Sequence, residues 1–225
     1  MIISGNKPFD EIKEFLKEDK TVFIIGCGKC ATVCKSGGLE EVQAMKELLE
    51  KEGKVVTGTT ILDPACTLSK TKKDLEKFMD ILENTDSILS MACGDGTQTI
   101  AKVLEYKPVY PANDTLFIGE VQMLGRYEEA CRACGDCQLA WTGGICPVTS
   151  CSKGLLNGAC GGADKDGRCE VNPEYSCAWV KIYKRLERLN QLENLLKVRD
   201  ERDYSKLNRK RDITMKELND RRKKR

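Results

Sequence analysis

At 225 residues and 40% apolar content the chain is long enough for one ordinary domain and a smaller one, and too apolar to be a disordered polymer. Its net charge of +2 hides an asymmetry: residues 181 to 225 carry 17 Lys and Arg against 8 Asp and Glu, and the first 180 carry 20 against 27. The opening stretch MIISGNKPFDEIKEFLKEDK is charged throughout and does not read as a secretory signal, and the longest apolar run, TVFII, is far too short to cross a bilayer; a cytoplasmic protein is the expectation.

TVFIIGC (21–27) reads as a buried strand, and GGLEEVQAMKELLEKEG from Gly37 as a helix with Leu39, Val42, Met45, Leu48 and Leu49 at helical spacing, closed by Gly53. KVVTGTTIL is the second strand, KTKKDLEKFMDILENT a helix with Leu75, Phe78, Met79, Ile81 and Leu82 on one face, and SILSMACG the third strand. GTQTIAKVLEYK follows as a helix, with VYPAND and TLFIGEV as closing strands. Strands alternating with helices of this length predict right-handed crossovers and a small, open, mostly parallel sheet, an α/β domain over residues 1–124.

Thirteen cysteines and no histidine shape the chemistry. Cytosolic thiols stay reduced, so a disulfide framework is disfavoured, and soft thiolates without imidazole point to iron-sulfur clusters or all-thiolate zinc. Cys27 ends the first strand, Cys66 follows the second in DPAC, and Cys93 ends the third in SMACGDG. All three fall on the carboxyl edge of the sheet, where open α/β sheets bind ligands. With Cys30 and Cys34 of CGKCATVC, five thiols converge there, and the expectation is a [4Fe-4S] cluster held by Cys27, Cys30 or Cys34, Cys66 and Cys93. Three rival readings exist for this loop. Gly26, Gly28 and Ala31 satisfy a dinucleotide fingerprint, but KVVTGTTIL ends without an acid for a ribose hydroxyl. Cys27 and Cys93 could be small buried hydrophobes, which leaves the C-x2-C-x3-C run unexplained. Thioredoxin-like chemistry at Cys27 and Cys30 leaves Cys34, Cys66 and Cys93 without a role.

From Gly125 the periodicity fades and a cysteine-rich segment, residues 125–180, takes over with Cys131, Cys134, Cys137, Cys146, Cys151, Cys160, Cys169 and Cys177. Glycines recur beside them, as loops around a metal require residues that reach positive φ and let backbone N–H groups approach sulfur. Cys131, Cys134 and Cys137 repeat the three-thiolate run of bacterial ferredoxins, and Cys146 precedes Pro147, although eight residues separate Cys137 from Cys146. Two clusters, or one cluster and one zinc, account for eight thiolates; one grouping joins Cys131, Cys134 and Cys137 to Cys177 and leaves Cys146, Cys151, Cys160 and Cys169 for the other. Two or three [4Fe-4S] clusters, with zinc in place of one as the variant, are the expected cofactors. Trp141 and Trp179 beside the segment read as packing residues.

The stretches CRACGDCQL, TGGICPVTSCSKGLLNGACGG, GRCEV and CAWVKIYKRL resemble the methylenetetrahydrofolate reductase C-terminal (MetV-like) domain family, and GCGKCATVCKSGG, DPAC and MACGDG are similar to the amino-terminal half of its stand-alone members. The family pattern has Pro where Ala159 stands. The resemblance implies the small iron-sulfur or zinc subunit of a reductase complex, with no catalytic residues of its own. It would pass electrons from a ferredoxin-like protein or a larger electron-donating complex to a flavin-containing catalytic subunit. A flavin barrel of roughly 250 residues has no room here.

AWVKIYKRLERLNQLENLLKV (178–198) places Trp179, Ile182, Leu186, Leu189, Leu192 and Leu196 near one helical stripe, and the basic tail, residues 181–225, reads as helical and then, beyond Arg199, as an arm that clasps an acidic partner. A zinc-ribbon structural or RNA-binding protein is the alternative; the acidic body and the tail's interleaved Asp and Glu argue against nucleic acid.

Overall fold

The computed structural model describes residues 1–123, 125–201 and 211–218. The chain forms two compact units, Met1–Glu129 and Ala130–Arg225.

The first unit runs β1 (Ile2–Asn6), α1 (Phe9–Phe15), β2 (Thr21–Cys27), α2 (Cys30–Val33), α3 (Leu39–Lys51), β3 (Val55–Leu62), α4 (Leu68–Glu76), α5 (Met79–Glu83), β4 (Ser87–Met91), α6 (Gly94–Val103), β5 (Val109–Pro111) and β6 (Asn113–Met123), followed by β7 (Arg126–Cys131). Its centre is a four-stranded sheet, order β3-β2-β4-β5, with every pair parallel. β2 is buried on both faces, which is why its sequence is a continuous apolar run rather than an alternating one. Phe23, Ile25 and Cys27 join Leu75, Leu82, Ile100 and Leu104 on one face. Val22 and Ile24 join Ile12, Leu16, Val42, Met45 and Leu49 on the other. The chain winds from β2 to β3 on one side, then crosses back past β2 to β4. The carboxyl ends of β2 and β4 therefore flank the point where strand order reverses.

Two expectations need correction. TLFIGEV is not a closing strand of the parallel sheet: β6 pairs antiparallel with β1, a strand absent from the sequence reading, in a second sheet of order β1-β6-β7. The helix expected over 70–85 is two, because Phe78 leaves helical geometry to pack its ring on Phe23, centroids 5.4 Å apart. Just past the second helix, Asp86 accepts the Lys20 and Thr21 N–H groups, each at 2.8 Å.

The second unit has little regular structure: α7 (Pro147–Ser150), α8 (Ala178–Arg188) and a 3₁₀ turn over Leu192–Leu196. Seven glycines between Gly135 and Gly167 adopt positive φ, so the segment is built of tight turns. Its apolar cluster is Cys177, Trp179, Ile182 and Leu186 with Ile145, Cys151, Leu155, Ala163 and Val180 around them. The tail stripe is continuous only to Leu186. Asn190 at φ 54° turns the chain, the Gln191 N–H closes on the Leu186 carbonyl at 2.9 Å, and Leu196 is left 84% exposed. The arm expected beyond Arg199 falls largely on residues 202–210 and 219–225, outside the described residues.

Candidate metal centre

Four of the five amino-terminal thiols line one pocket. Cys27, Cys30, Cys66 and Cys93 surround a space of about 260 Å³ together with Ile2, Pro64, Ala65 and Gly96. Each is delivered by a separate local device. Cys27 is the last residue of β2; its N–H bonds the Gly37 carbonyl at 2.8 Å, and the following Gly28 N–H bonds the Leu62 carbonyl at 2.8 Å. That return of the loop requires glycine at 37, because a side-chain carbon there would overlap the Met91 carbonyl. α2 then carries Cys30 inward. Cys66 lies in the turn after β3, tied to α4 by the Thr71 hydroxyl, which donates to the Ala65 carbonyl at 2.9 Å. Cys93 is the N-cap residue of α6, and Gly96 allows the helix to close on Ala65 and Ala92.

The geometry separates Cys34 from the others. It is outside the pocket lining, and its thiol donates to the Ile2 carbonyl at 3.7 Å. Between Cys30 and Cys34, Cys30 is the one brought to the site.

Charge at the pocket is set by burial and by backbone donors. Burial pushes the Cys93 thiol up, and the N–H groups of Gly96 and Asp95 in the first turn of α6 oppose it. The Cys66 thiol is raised by burial first, then by the Asp95 carboxylate and by Cys93 and Cys27 nearby. Crowded thiols that resist ionising together, with N–H donors aimed at sulfur, suit a positively charged inorganic centre that would take them as thiolates. The space suits a body of several atoms, and a four-thiolate donor set is one that both iron-sulfur clusters and structural zinc use.

Lys29 and Asp95, which line the same pocket, and Asp63, the ion-pair partner of Lys29, were not singled out from the sequence. Asp63 is the residue after β3, and Lys29 holds it in an ion pair at 2.9 Å. Asp95 lines the pocket two residues after Cys93. A lysine inside C-x2-C and an acid following SMACG were legible as neighbours of thiols, but only the fold puts them on one rim.

The eight cysteines of the second unit are less gathered. Cys177 is buried and Cys151 packs against the same apolar cluster. The Cys160 thiol donates to a Glu170 carboxylate oxygen at 3.3 Å, and Lys153 pairs with that carboxylate. The Cys169 thiol is lowered by the N–H groups of Asn172 and Val171 and by the Ser152 hydroxyl. Cys131 accepts the Ala133 N–H at 3.3 Å and Cys160 the Gly162 N–H at 3.4 Å. Cys93, Cys131, Cys160 and Cys169 thus share one turn, in which the N–H two residues on points back at the sulfur. Such donors are placed to hydrogen-bond the sulfur of a metal-bound thiolate. Cys134 points toward the Asp136 carbonyl at 3.7 Å, whereas Cys137 is exposed and Cys146 half-buried before Pro147. Among the described residues, no three Cys, Asp or Glu side chains converge as a single-ion cage.

Trp179 is buried with its Nε1–H donated to the Leu155 carbonyl at 3.1 Å, a packing role. Trp141 lies between the Lys197 ammonium, 4.8 Å from its ring, and the Arg199 guanidinium at 5.1 Å. The Asn157 side chain completes this strap, accepting the Arg199 N–H at 2.7 Å and donating to the Arg199 carbonyl at 2.9 Å.

Residues 110–205 match the family model described as "Methylene-tetrahydrofolate reductase C terminal". The matched segment holds all eight cysteines of the second unit and none of the four that line the pocket. No curated protein matches the chain. One solved structure, described as "a putative branched-chain amino acid ABC transporter from Rhodospirillum rubrum", is 16% identical over 46% of this chain and 28% of its own length, with a TM-score of 0.32. The chain therefore spans well under half of that protein. No described helix is long and apolar enough to cross a membrane.

Proposed function

Residues 110–205 belong to the methylene-tetrahydrofolate reductase C-terminal family, and from that premise we propose that the chain is an iron-sulfur electron-transfer subunit of such a reductase. The observation that carries this reading is the convergence of Cys27, Cys30, Cys66 and Cys93, from three strand ends and a helix, on one enclosed pocket. These four would hold a [4Fe-4S] cluster. The eight thiols of the second unit would hold one or two further centres, one of them zinc if not iron.

Bound there, a cluster supplies reversible one-electron transfer at a potential set by charge, burial and hydrogen bonds to sulfur. The chain's own residues do the rest. Cys27 and Cys93 are 6% and 8% exposed, so two of the four sulfurs are shielded from water. The α6 N–H groups of Asp95 and Gly96 stabilise negative charge at Cys93. The reduction of one flavin in a catalytic subunit would draw two electrons in sequence, one from each of two one-electron donor molecules, each oxidised once, with two protons from solvent.

Iron and acid-labile sulfide analysis of anaerobically purified full-length protein tests this reading. At least four iron and four sulfide per chain, with a broad visible absorption that bleaches on reduction, is expected. Stoichiometric zinc with iron and sulfide near zero would overturn it.

A further inference from the structure

Of the four pocket thiols only Cys66 is exposed; Cys27 and Cys93 are buried and Cys30 is half-buried. The pocket therefore reaches solvent at Cys66, and electron exchange between a buried centre and a carrier is fastest where least protein intervenes. α4 begins two residues later, and its outward side has a consistent chemistry. Leu68 in its first turn is 53% exposed, although Thr71 and Leu75 on the inner side are fully buried. Lys72 stands one helical turn beyond Leu68, and Lys73 beside it; both are exposed. Lys70 is paired with Asp74 at 2.8 Å and Lys29 with Asp63 at 2.9 Å, which leaves Lys72 and Lys73 without a salt bridge among the described residues. The helix amino terminus adds its own positive end on the Cys66 side.

This cationic, partly apolar patch belongs to the unit Met1–Glu129, whose residues carry 22 Asp and Glu against 16 Lys and Arg. An acidic partner is repelled by most of such a surface and attracted to the exception, which orients its approach. We infer that the Cys66–Lys73 surface, with Leu68 at its centre and Lys72 and Lys73 on its rim, is the docking site for a small acidic one-electron carrier protein. The inference rests on the cluster reading of the pocket. In each encounter the carrier loses one electron and the centre held by Cys27, Cys30, Cys66 and Cys93 gains it; no bond or proton is exchanged.

The test mixes iron-loaded full-length protein with a reduced acidic plant-type [2Fe-2S] ferredoxin in a stopped-flow instrument and follows bleaching at several salt concentrations. At low salt, K72E/K73E lowers the second-order rate constant by roughly tenfold or more and flattens its salt dependence. L68N lowers the rate at all salt concentrations. Reduction by the methyl viologen radical cation, which needs no docking surface, is no slower in either variant, and this shows that the centre is intact. Wild-type rates with ferredoxin in both K72E/K73E and L68N would overturn the surface while leaving the cluster intact. A wild-type protein without iron would instead remove the reading on which the inference rests.

Discussion

The two units gather sulfur by opposite means. In Met1–Glu129 the thiols are appended to a core that exists without them: Phe23, Ile24, Ile25, Ile88 and Leu89 are fully buried in the parallel sheet, and Cys27 and Cys93 extend β2 and β4 into a pocket already framed. In Ala130–Arg225 the apolar cluster is small, centred on Trp179, Ile182 and Leu186, and two of its members are themselves cysteines, Cys151 and Cys177. On the proposed function, a core-framed site would pre-exist its metal, whereas a turn-built segment with eight thiols would take much of its folding free energy from the metal.

The sharpest way to break that comparison is metal removal. Chelation under reducing conditions should abolish amide-exchange protection across residues 131–177 and leave β2, β3 and β4 protected; equal loss in both units would erase the distinction. Next in size is Trp179→Ala. Trp179 fills the middle of the small cluster and satisfies the Leu155 carbonyl, so its truncation should cost about 3 to 5 kcal/mol and release the second unit at lower denaturant than the first. A single cooperative transition, shifted as one, would show that the units do not unfold separately.

The smallest effect belongs to the sheet. Asp86 is held below the usual carboxylate range by the N–H groups of Thr21 and Lys20 and by the Thr21 hydroxyl. A depressed carboxyl contributes stability that is present above its unfolded pKa and lost as pH falls through its folded one. Asp86→Asn should cost on the order of 1 kcal/mol near pH 7, and the difference from wild type should begin to shrink as pH falls below about 4 and vanish only once it has passed below the depressed folded pKa. A pH-independent difference would assign the loss to packing.

How much of this was legible depended on whether local pattern or long-range pairing decided the outcome. β2 was readable residue for residue because burial on both faces writes itself as TVFII, and its two parallel neighbours followed from strand-helix alternation. β1 was not readable: IISGN is short, and only its long-range partner β6, 107 or more residues away, makes it a strand. The pocket itself was largely legible, since cysteines that end successive parallel strands must share an edge. The choice of Cys30 over Cys34 was not, because it turns on a contact between Cys34 and the Ile2 carbonyl that no spacing rule contains. In the second unit, backbone turns rather than periodicity place the thiols, so the N–H donors on Cys131, Cys160 and Cys169 have no sequence signature beyond nearby small residues.

The claim on which the account turns is that a cluster is held by Cys27, Cys30, Cys66 and Cys93 and not by Cys34. Iron and sulfide content of anaerobically prepared Cys30→Ser, Cys34→Ser and Cys66→Ser full-length variants, measured beside wild type, tests it directly. Four iron atoms fewer per chain in the Cys30 and Cys66 variants, with wild-type content in the Cys34 variant, is the predicted result. Undiminished iron in the Cys30 and Cys66 variants, or loss only in the Cys34 variant, would contradict it.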